Sequence, residues 1–243
     1  MTEITKGFIL AAGRGMRMRP LTDTCPKPLL EVGGKPILGY TIDSLVEAGV
    51  TDIIVNVSYL GDMIIDYLRT RTDVRIEISH EDEALETGGG VKKELAFFGN
   101  EPFFVMNGDV IVEDIKTPAL QNLKNVWDED RMDLCLLIHP LDEQHTRGDY
   151  GVDAAGRLTH ISRLPEHAIG DGKFAGPRIV HPRLFENSPD GAFGFLDLFD
   201  KAEKAGRLFG ALHDGGWHHI GTPDALEVAN IYFNNVDLKS AAS

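Results

Sequence analysis

Four short apolar runs, each separated from the next by a helical stripe, limit what this chain can fold into. Phe8–Ala11, Asp52–Val57, Val74–Ser79 and Phe103–Met106 are strand-length and bounded by polar or turn-forming residues. Between them, Leu38, Ile42, Leu45 and Val46 recur at helical spacing after Pro36 and stop at Gly49. Leu60, Ile64, Tyr67 and Leu68 make a second stripe, and Val91, Leu95 and Phe98 a third. Repeated strand–helix–strand units predict a parallel sheet, because parallel neighbours need a long crossover to bring the chain back. The expected fold is therefore α/β: a Rossmann-like, mostly parallel sheet with helices on both faces. Ligands of such sheets sit at the carboxyl ends of the strands. The segment after Ala11 and the tripeptide Asn107-Gly108-Asp109 both fall there.

The second half is less regular. Asp133–His139 reads as a buried strand, and Tyr150–Val152, Leu158–Ser162 and Phe174–Val180 as short strands separated by Gly, Pro and Asp. Phe193–Gly206 and Pro223–Phe233 read as helices. No linker and no hexapeptide repeat interrupts the 243 residues, so one domain carrying a smaller β-rich lobe is expected.

The first strand feeds a loop whose chemistry suits phosphate. Gly13 and Gly15 allow close backbone approach, and Arg14, Arg17, Arg19 and Lys27 supply cationic donors. Residues 1–35 carry six basic and three acidic side chains, a net of +3, in a chain whose net charge is −14. One basic loop on an acidic protein suits a small polyanion and argues against a nucleic-acid partner, which favours a broad positive stripe. A composition of 42% hydrophobic and 26% charged residues indicates neither disorder nor a membrane span. The N-terminal MTEITKG lacks the features of a secretory signal, so a cytoplasmic location is expected. Cys25 and Cys135 show no metal or redox spacing.

Named phosphate motifs fail in turn. Met18 stands at the third glycine position of a dinucleotide fingerprint, and Gly33-Gly34-Lys35 is followed by Pro36 rather than the Ser or Thr of a Walker A loop. What remains is Leu-Ala-Ala-Gly-x-Gly-x-Arg-Met-x-Pro-Leu-Thr at Leu10–Thr22, followed by Pro26-Lys27-Pro28. This pattern resembles the signature of the sugar-1-phosphate nucleotidyltransferases. The resemblance continues through Leu85–Gly90, Asn107–Asp109, Arg147–Gly151 and Trp217–Thr222, in the family's order. The LETGGG block, Arg147-Gly148-Asp149, His181–Phe185 and Gly191–Phe193 bring it nearest to the N-acetylmuramate 1-phosphate uridylyltransferases.

The resemblance implies a nucleotidyl transfer from a nucleoside triphosphate to a sugar 1-phosphate, with UTP and N-acetylmuramate 1-phosphate as the leading pair. A mannose- or heptose-1-phosphate guanylyltransferase is the alternative, and a non-catalytic nucleotide-binding regulator is the alternative from another class. Residues 1–135 would form the nucleotide-binding part, and 136–243 the sugar-binding part with a late metal-site block. Arg17 and Lys27 are the expected catalytic cations. Leu10, Ala11, Ala12, Gly13, Gly15, Met16, Glu86, Gly88 and Asn107 join them in holding the nucleotide, with Gly88 permitting close approach of the base. Gly148, Asp149, Arg163 and Gly176 would meet the sugar phosphate, and Asp109 would hold Mg²⁺, which prefers oxygen ligands.

Two departures from the family pattern stand out. Where relatives place a second metal-binding Asp before Gly-Thr, this chain has His219. Alternation along a strand lets only one of His218 and His219 enter the site. Imidazole suits Mn²⁺ or another transition ion better than Mg²⁺, so His219 is expected as a ligand or a neighbour of one. Where many relatives have Glu-Lys-Pro, this chain has Arg163-Leu164-Pro165, which makes Arg163 the candidate replacement for the lysine.

Overall fold

The computed structural model describes residues 3–143 and 145–240. The chain runs through β1 (Lys6–Leu10), β2 (Glu31–Val32), β3 (Lys35–Pro36), α1 (Ile37–Glu47), β4 (Asp52–Val57), α2 (Gly61–Leu68) and β5 (Arg75–His80). It continues through α3 (Glu86–Lys93), α4 (Leu95–Phe98), β6 (Phe103–Asn107), β7 (Val110–Val112), α5 (Ala119–Val126) and β8 (Leu134–Pro140). The remainder comprises β9 (Tyr150–Val152), β10 (Leu158–His160), β11 (Gly172–Val180), α6 (Phe195–Lys204), β12 (Leu208–Leu212), β13 (Trp217–His219) and α7 (Pro223–Ser240).

Nine strands form one sheet in the order β10-β9-β11-β6-β1-β4-β5, with β8 added to β11 and β12 to β8. The β6-β1-β4-β5 segment is parallel, as the alternation of strands and helices requires. β11 runs antiparallel to both β6 and β8, which makes the sheet mixed. The pairing of β11 with β8 shifts register between Phe174 and Arg178. That irregularity contains Gly176, whose φ of 107° a side chain rarely adopts. The sheet continues from the first half of the chain into the second.

Side-chain alternation puts a separate core on each face. Ile9, Ile53, Val55, Phe104, Met106, Cys135 and Leu137 pack with α1, α2 and α5 through Leu38, Ile42, Ile64 and Leu123. Their sequence neighbours Phe8, Ile54, Phe103, Val105, Leu134 and Leu136 pack on the other face with α3, α4 and α6 through Val91, Phe98, Phe195 and Leu198. Both faces are thus covered, and the ends of the strands are the exits left for ligand contact. No described helix is long and apolar enough to cross a membrane.

Candidate active site

A cavity of about 390 Å³ opens at the carboxyl ends of the parallel strands. Leu10 to Gly13 line it from the end of β1, Asn56 from β4, Glu81 from just beyond β5, and Asn107, Gly108 and Asp109 from the end of β6. The loop after β1 folds over this opening. Gly15 has φ 61°, and a Cβ there would lie 2.9 Å from Thr22 Cγ2 and 3.1 Å from Lys27 Cβ, so glycine alone permits the packing. Gly108 N donates to Leu10 O at 3.0 Å. A Cβ on Gly108 would stand 2.5 Å from that oxygen, so this contact between the two strand ends also needs glycine.

Asn56 and Glu81, both buried, also line the cavity, although no local sequence pattern singles them out. Asn56 Oδ1 accepts from Ala11 N at 2.7 Å, and its Nδ2 donates to Glu81 Oε1 at 2.7 Å. Glu81 Oε2 accepts from Leu85 N at 3.1 Å. These bonds tie the ends of β1, β4 and β5 to the loop entering α3. The available signal was a polar residue inside the apolar run Asp52–Val57. Such a residue must find partners once buried.

The charged groups meet at Asp109. Lys27 Nζ lies 2.6 Å from Asp109 Oδ2, and His219 Nε2 lies 3.5 Å from the same oxygen. Burial works against ionising this carboxyl. The hydrogen bond from His219, with the charge and hydrogen bond of Lys27, outweighs it and holds the pKa down at about 2. Arg17 also lines the cavity, whereas Arg19 pairs with Asp23 at 3.0 Å and Arg14 is exposed outside the lining.

β13 pairs antiparallel with β7, bringing His219 opposite Val110 and His218 opposite Ile111. Alternation then separates the two imidazoles. His218 Nε2 lies 2.7 Å from Glu113 Oε2, against the rings of Tyr232 and Phe233. Only His219 turns toward Asp109. An ionised carboxylate at the edge of this cavity fits a hard divalent ion, which is commonly held by one or two carboxylates plus substrate phosphates. His219 fits a borderline ion better.

Asn107 is oriented from beneath by Arg178, which is fully buried. Arg178 Nη1 donates to Asn107 Oδ1 at 2.9 Å and to Gly176 O at 2.8 Å. Arginine has no acceptor, so this contact sets which end of the amide faces it. The guanidinium carbon lies 4.2 Å from the centroid of Phe195, and burial pushes the pKa of Arg178 down to about 9.

Several expected residues lie away from the cavity. Gly88 does not line it. A Cβ on Gly88 would fall 2.5 Å from the Phe193 ring, and its amide donates to Phe193 O at 2.8 Å. The close approach at Gly88 in this structure is to the ring and backbone of Phe193. Arg163 is taken by Asp200, at 2.8 Å, and by Glu203 on α6, and does not line the cavity either. Reaching a sugar phosphate would require leaving both carboxylates. Asp149 Oδ1 lies 3.4 Å from Lys173 Nζ, and Asp149 Oδ2 accepts from Phe174 N at 3.1 Å. Gly148 packs against the backbone of Gly172, and Gly176 lies beside Asn107 and Val110. Glu86 lines the cavity with φ 56°, a left-handed conformation uncommon for a residue with a side chain.

Comparison with known proteins adds the following. A sequence profile of the nucleotidyl transferase family matches residues 6–235. N-acetylmuramate alpha-1-phosphate uridylyltransferase of Caulobacter vibrioides is 39% identical over 90% of this chain and 92% of its own. The protein of the same name from Neisseria meningitidis serogroup B is 37% identical over 92% of this chain and 96% of its own. The crystal structure of HddC from Yersinia pseudotuberculosis, complexed with GMP-PN, superposes with a TM-score of 0.77. It has 25% identity and covers 95% of this chain and all of that one.

Proposed function

The chain belongs to the nucleotidyl transferase family, and we propose that it transfers a uridylyl group from UTP to N-acetylmuramate 1-phosphate. It is a nucleotidyltransferase acting on sugar 1-phosphates. The observation that carries the site assignment is the Lys27–Asp109 pair, 2.6 Å apart at a cavity bordered by the glycine loop. The choice of base and sugar rests on the full-length likeness to two uridylyltransferases.

In this reading an oxygen of the sugar phosphate attacks the α-phosphorus of UTP. The bond from that phosphorus to its bridging oxygen breaks, and pyrophosphate leaves with the electron pair. The attacking monoester is already anionic, so no general base is required, and catalysis consists of positioning and charge neutralisation. Arg17 and Lys27 neutralise the phosphate charge, while backbone amides near Gly13 and Gly15 cradle the chain of phosphates. Asn107, held by Arg178, contacts the nucleoside. Asp109, with His219 beside it, would hold Mg²⁺ or Mn²⁺, which supplies further charge neutralisation on the phosphates.

Guanylyl transfer is the second reading, favoured by the fold's likeness to a protein complexed with GMP-PN. Pyrophosphate release separates the two, measured with UTP plus N-acetylmuramate 1-phosphate against GTP plus mannose or heptose 1-phosphate, with Mg²⁺ and Mn²⁺ in parallel. The first pair should give the higher kcat/KM by at least tenfold. A higher value for a GTP pair replaces the uridylyl reading with the guanylyl one.

A further inference from the structure

Outside the cavity, a second cluster of potential ligands follows the end of β8. His139 lies on that strand, and Asp142 and His145 on the loop beyond it. Asp142 N donates to His145 O at 3.2 Å and His145 N to Asp142 Oδ1 at 2.6 Å, a turn that folds His145 back toward the strand. One ligand atom from each of the three side chains lies within 4.8 Å of the others. We propose that His139, Asp142 and His145 form a binding site for a zinc-class divalent cation, distinct from the Lys27–Asp109 cavity.

Three observations converge on this. First, the spacing suits an ion. His145 Nδ1 lies 2.9 Å from Asp142 Oδ1, and His139 Nδ1 lies 3.9 Å from Asp142 Oδ2. Ligands about 2.0–2.1 Å from a tetrahedral ion are about 3.3 Å from one another, so the two His–carboxylate distances, one to each oxygen of Asp142, bracket that value, and three atoms within 4.8 Å of one another draw closer on binding.

Second, hydrogen bonding within the turn accounts for Asp142 and His145 but not for His139. His139 Nδ1 is buried and has no hydrogen-bond partner. Buried polar nitrogens are seldom left in that state. A cation between His139 and Asp142 would engage that nitrogen and the carboxylate together.

Third, aromatic rings flank the two half-buried imidazoles, while Asp142 stands exposed at the edge of the group. The Trp217 ring lies 4.8 Å from that of His145 and 5.6 Å from that of His139, and His213 stands 6.4 Å from His139. Three of the five buried nitrogens without partners among the described residues belong to this group: His139 Nδ1, His213 Nδ1 and Trp217 Nε1.

Two imidazoles and one carboxylate are borderline donors. They select Zn²⁺, Co²⁺ or Ni²⁺ over Mg²⁺ and leave a fourth position for water. None of the three residues lines the cavity described above. A bound ion fastens the loop between β8 and β9, which leads into Arg147-Gly148-Asp149. It also braces Trp217, whose ring stacks 6.3 Å from His219.

The test uses the full chain carrying Asp109→Asn and His219→Ala, so that ions in the cavity do not contribute, after dialysis against a chelator. Titration calorimetry with Zn²⁺ alone should give one equivalent bound, and Co²⁺ alone should give the intense visible absorption of a tetrahedral site. Adding His145→Ala or Asp142→Asn should weaken Zn²⁺ binding by about 100-fold or more and abolish the Co²⁺ absorption. Circular dichroism checks that each variant folds, and Asp142→Asn decides if His145→Ala does not. Absence of stoichiometric Zn²⁺ in the parent, or unchanged affinity in the folded ligand variants, overturns the proposal.

Discussion

Lys27 Nζ and Asp109 Oδ2 lie 2.6 Å apart across 82 residues of sequence, joining the loop after β1 to the turn after β6. The pair spans the mouth between adjacent parallel strands and, together with the hydrogen bond from His219, keeps Asp109 ionised. Its effect on stability has a definite sign. A carboxyl whose folded pKa is about 2, against an ordinary 3.8, contributes stability above the ordinary value and loses it as pH falls through about 2. At 1.36 kcal/mol per unit, the contribution is roughly 2 kcal/mol. Urea unfolding at pH 5, 3 and 2 should therefore show a shallower acid loss in Asp109→Asn than in the parent chain. Parallel acid profiles would mean that the pair does not depress this carboxyl.

His219 stands 3.5 Å from the same oxygen, where relatives of this chain are expected to place a carboxylate. Restoring it with His219→Asp should raise the ratio of Mg²⁺-supported to Mn²⁺-supported turnover by about tenfold, because hard ions prefer oxygen donors. A metal profile unchanged from that of the parent removes His219 from the ion's surroundings.

Gly88 gives a test in which stability and binding part company. The Phe193 ring fills the space a side chain would need, so Gly88→Ala overpacks that contact by about 1–3 kcal/mol. The melting temperature should fall by about 2–10 °C, while KM for the nucleotide in the folded enzyme stays within about twofold. A raised KM at constant melting temperature would put Gly88 at the base site.

Much of this architecture is visible in the residues before any coordinates. The apolar runs of the parallel strands stand out because both faces of the sheet are covered, and Asp52–Val57 coincides with β4 residue for residue. β7 and β13 have three residues each, too few to show a period, and they form only because they pair with one another. β12 and α5 escape notice for related reasons: Gly210 interrupts the first, and the leucines of the second, Leu120 and Leu123, span a single turn. Lys27, Asp109 and the glycine loop are legible as chemistry in a local pattern. Asn56 and Glu81 are not, because their roles consist of contacts between distant segments. The same holds for Arg163, whose carboxylate partners lie 37 and 40 residues away on α6.

Arg178 is the contact beneath Asn107, the residue proposed to meet the nucleoside, that the sequence pattern does not single out for that role. Replacing Arg178 with an apolar side chain of similar length removes the cost of a buried charge but leaves Asn107 Oδ1 and Gly176 O without their donor, and the two effects oppose each other. Arg178→Met should keep the melting temperature within about 4 °C of the parent or raise it. By releasing the Asn107 amide it should raise KM for the nucleotide by about 5–10-fold, the worth of one hydrogen bond. A large loss of stability with KM unchanged would show that Arg178 holds the sheet and not the amide.

Pyrophosphate release from UTP and N-acetylmuramate 1-phosphate by the parent chain and by the Arg17→Ala, Lys27→Met double variant tests the phosphate cradle most directly. Removing the two cations proposed to neutralise the transferring phosphate should lower kcat/KM by about 1,000-fold or more, with the fold intact by circular dichroism. Turnover within about threefold of the parent would mean that the triphosphate is neutralised elsewhere, and the assignment of this cavity would fall.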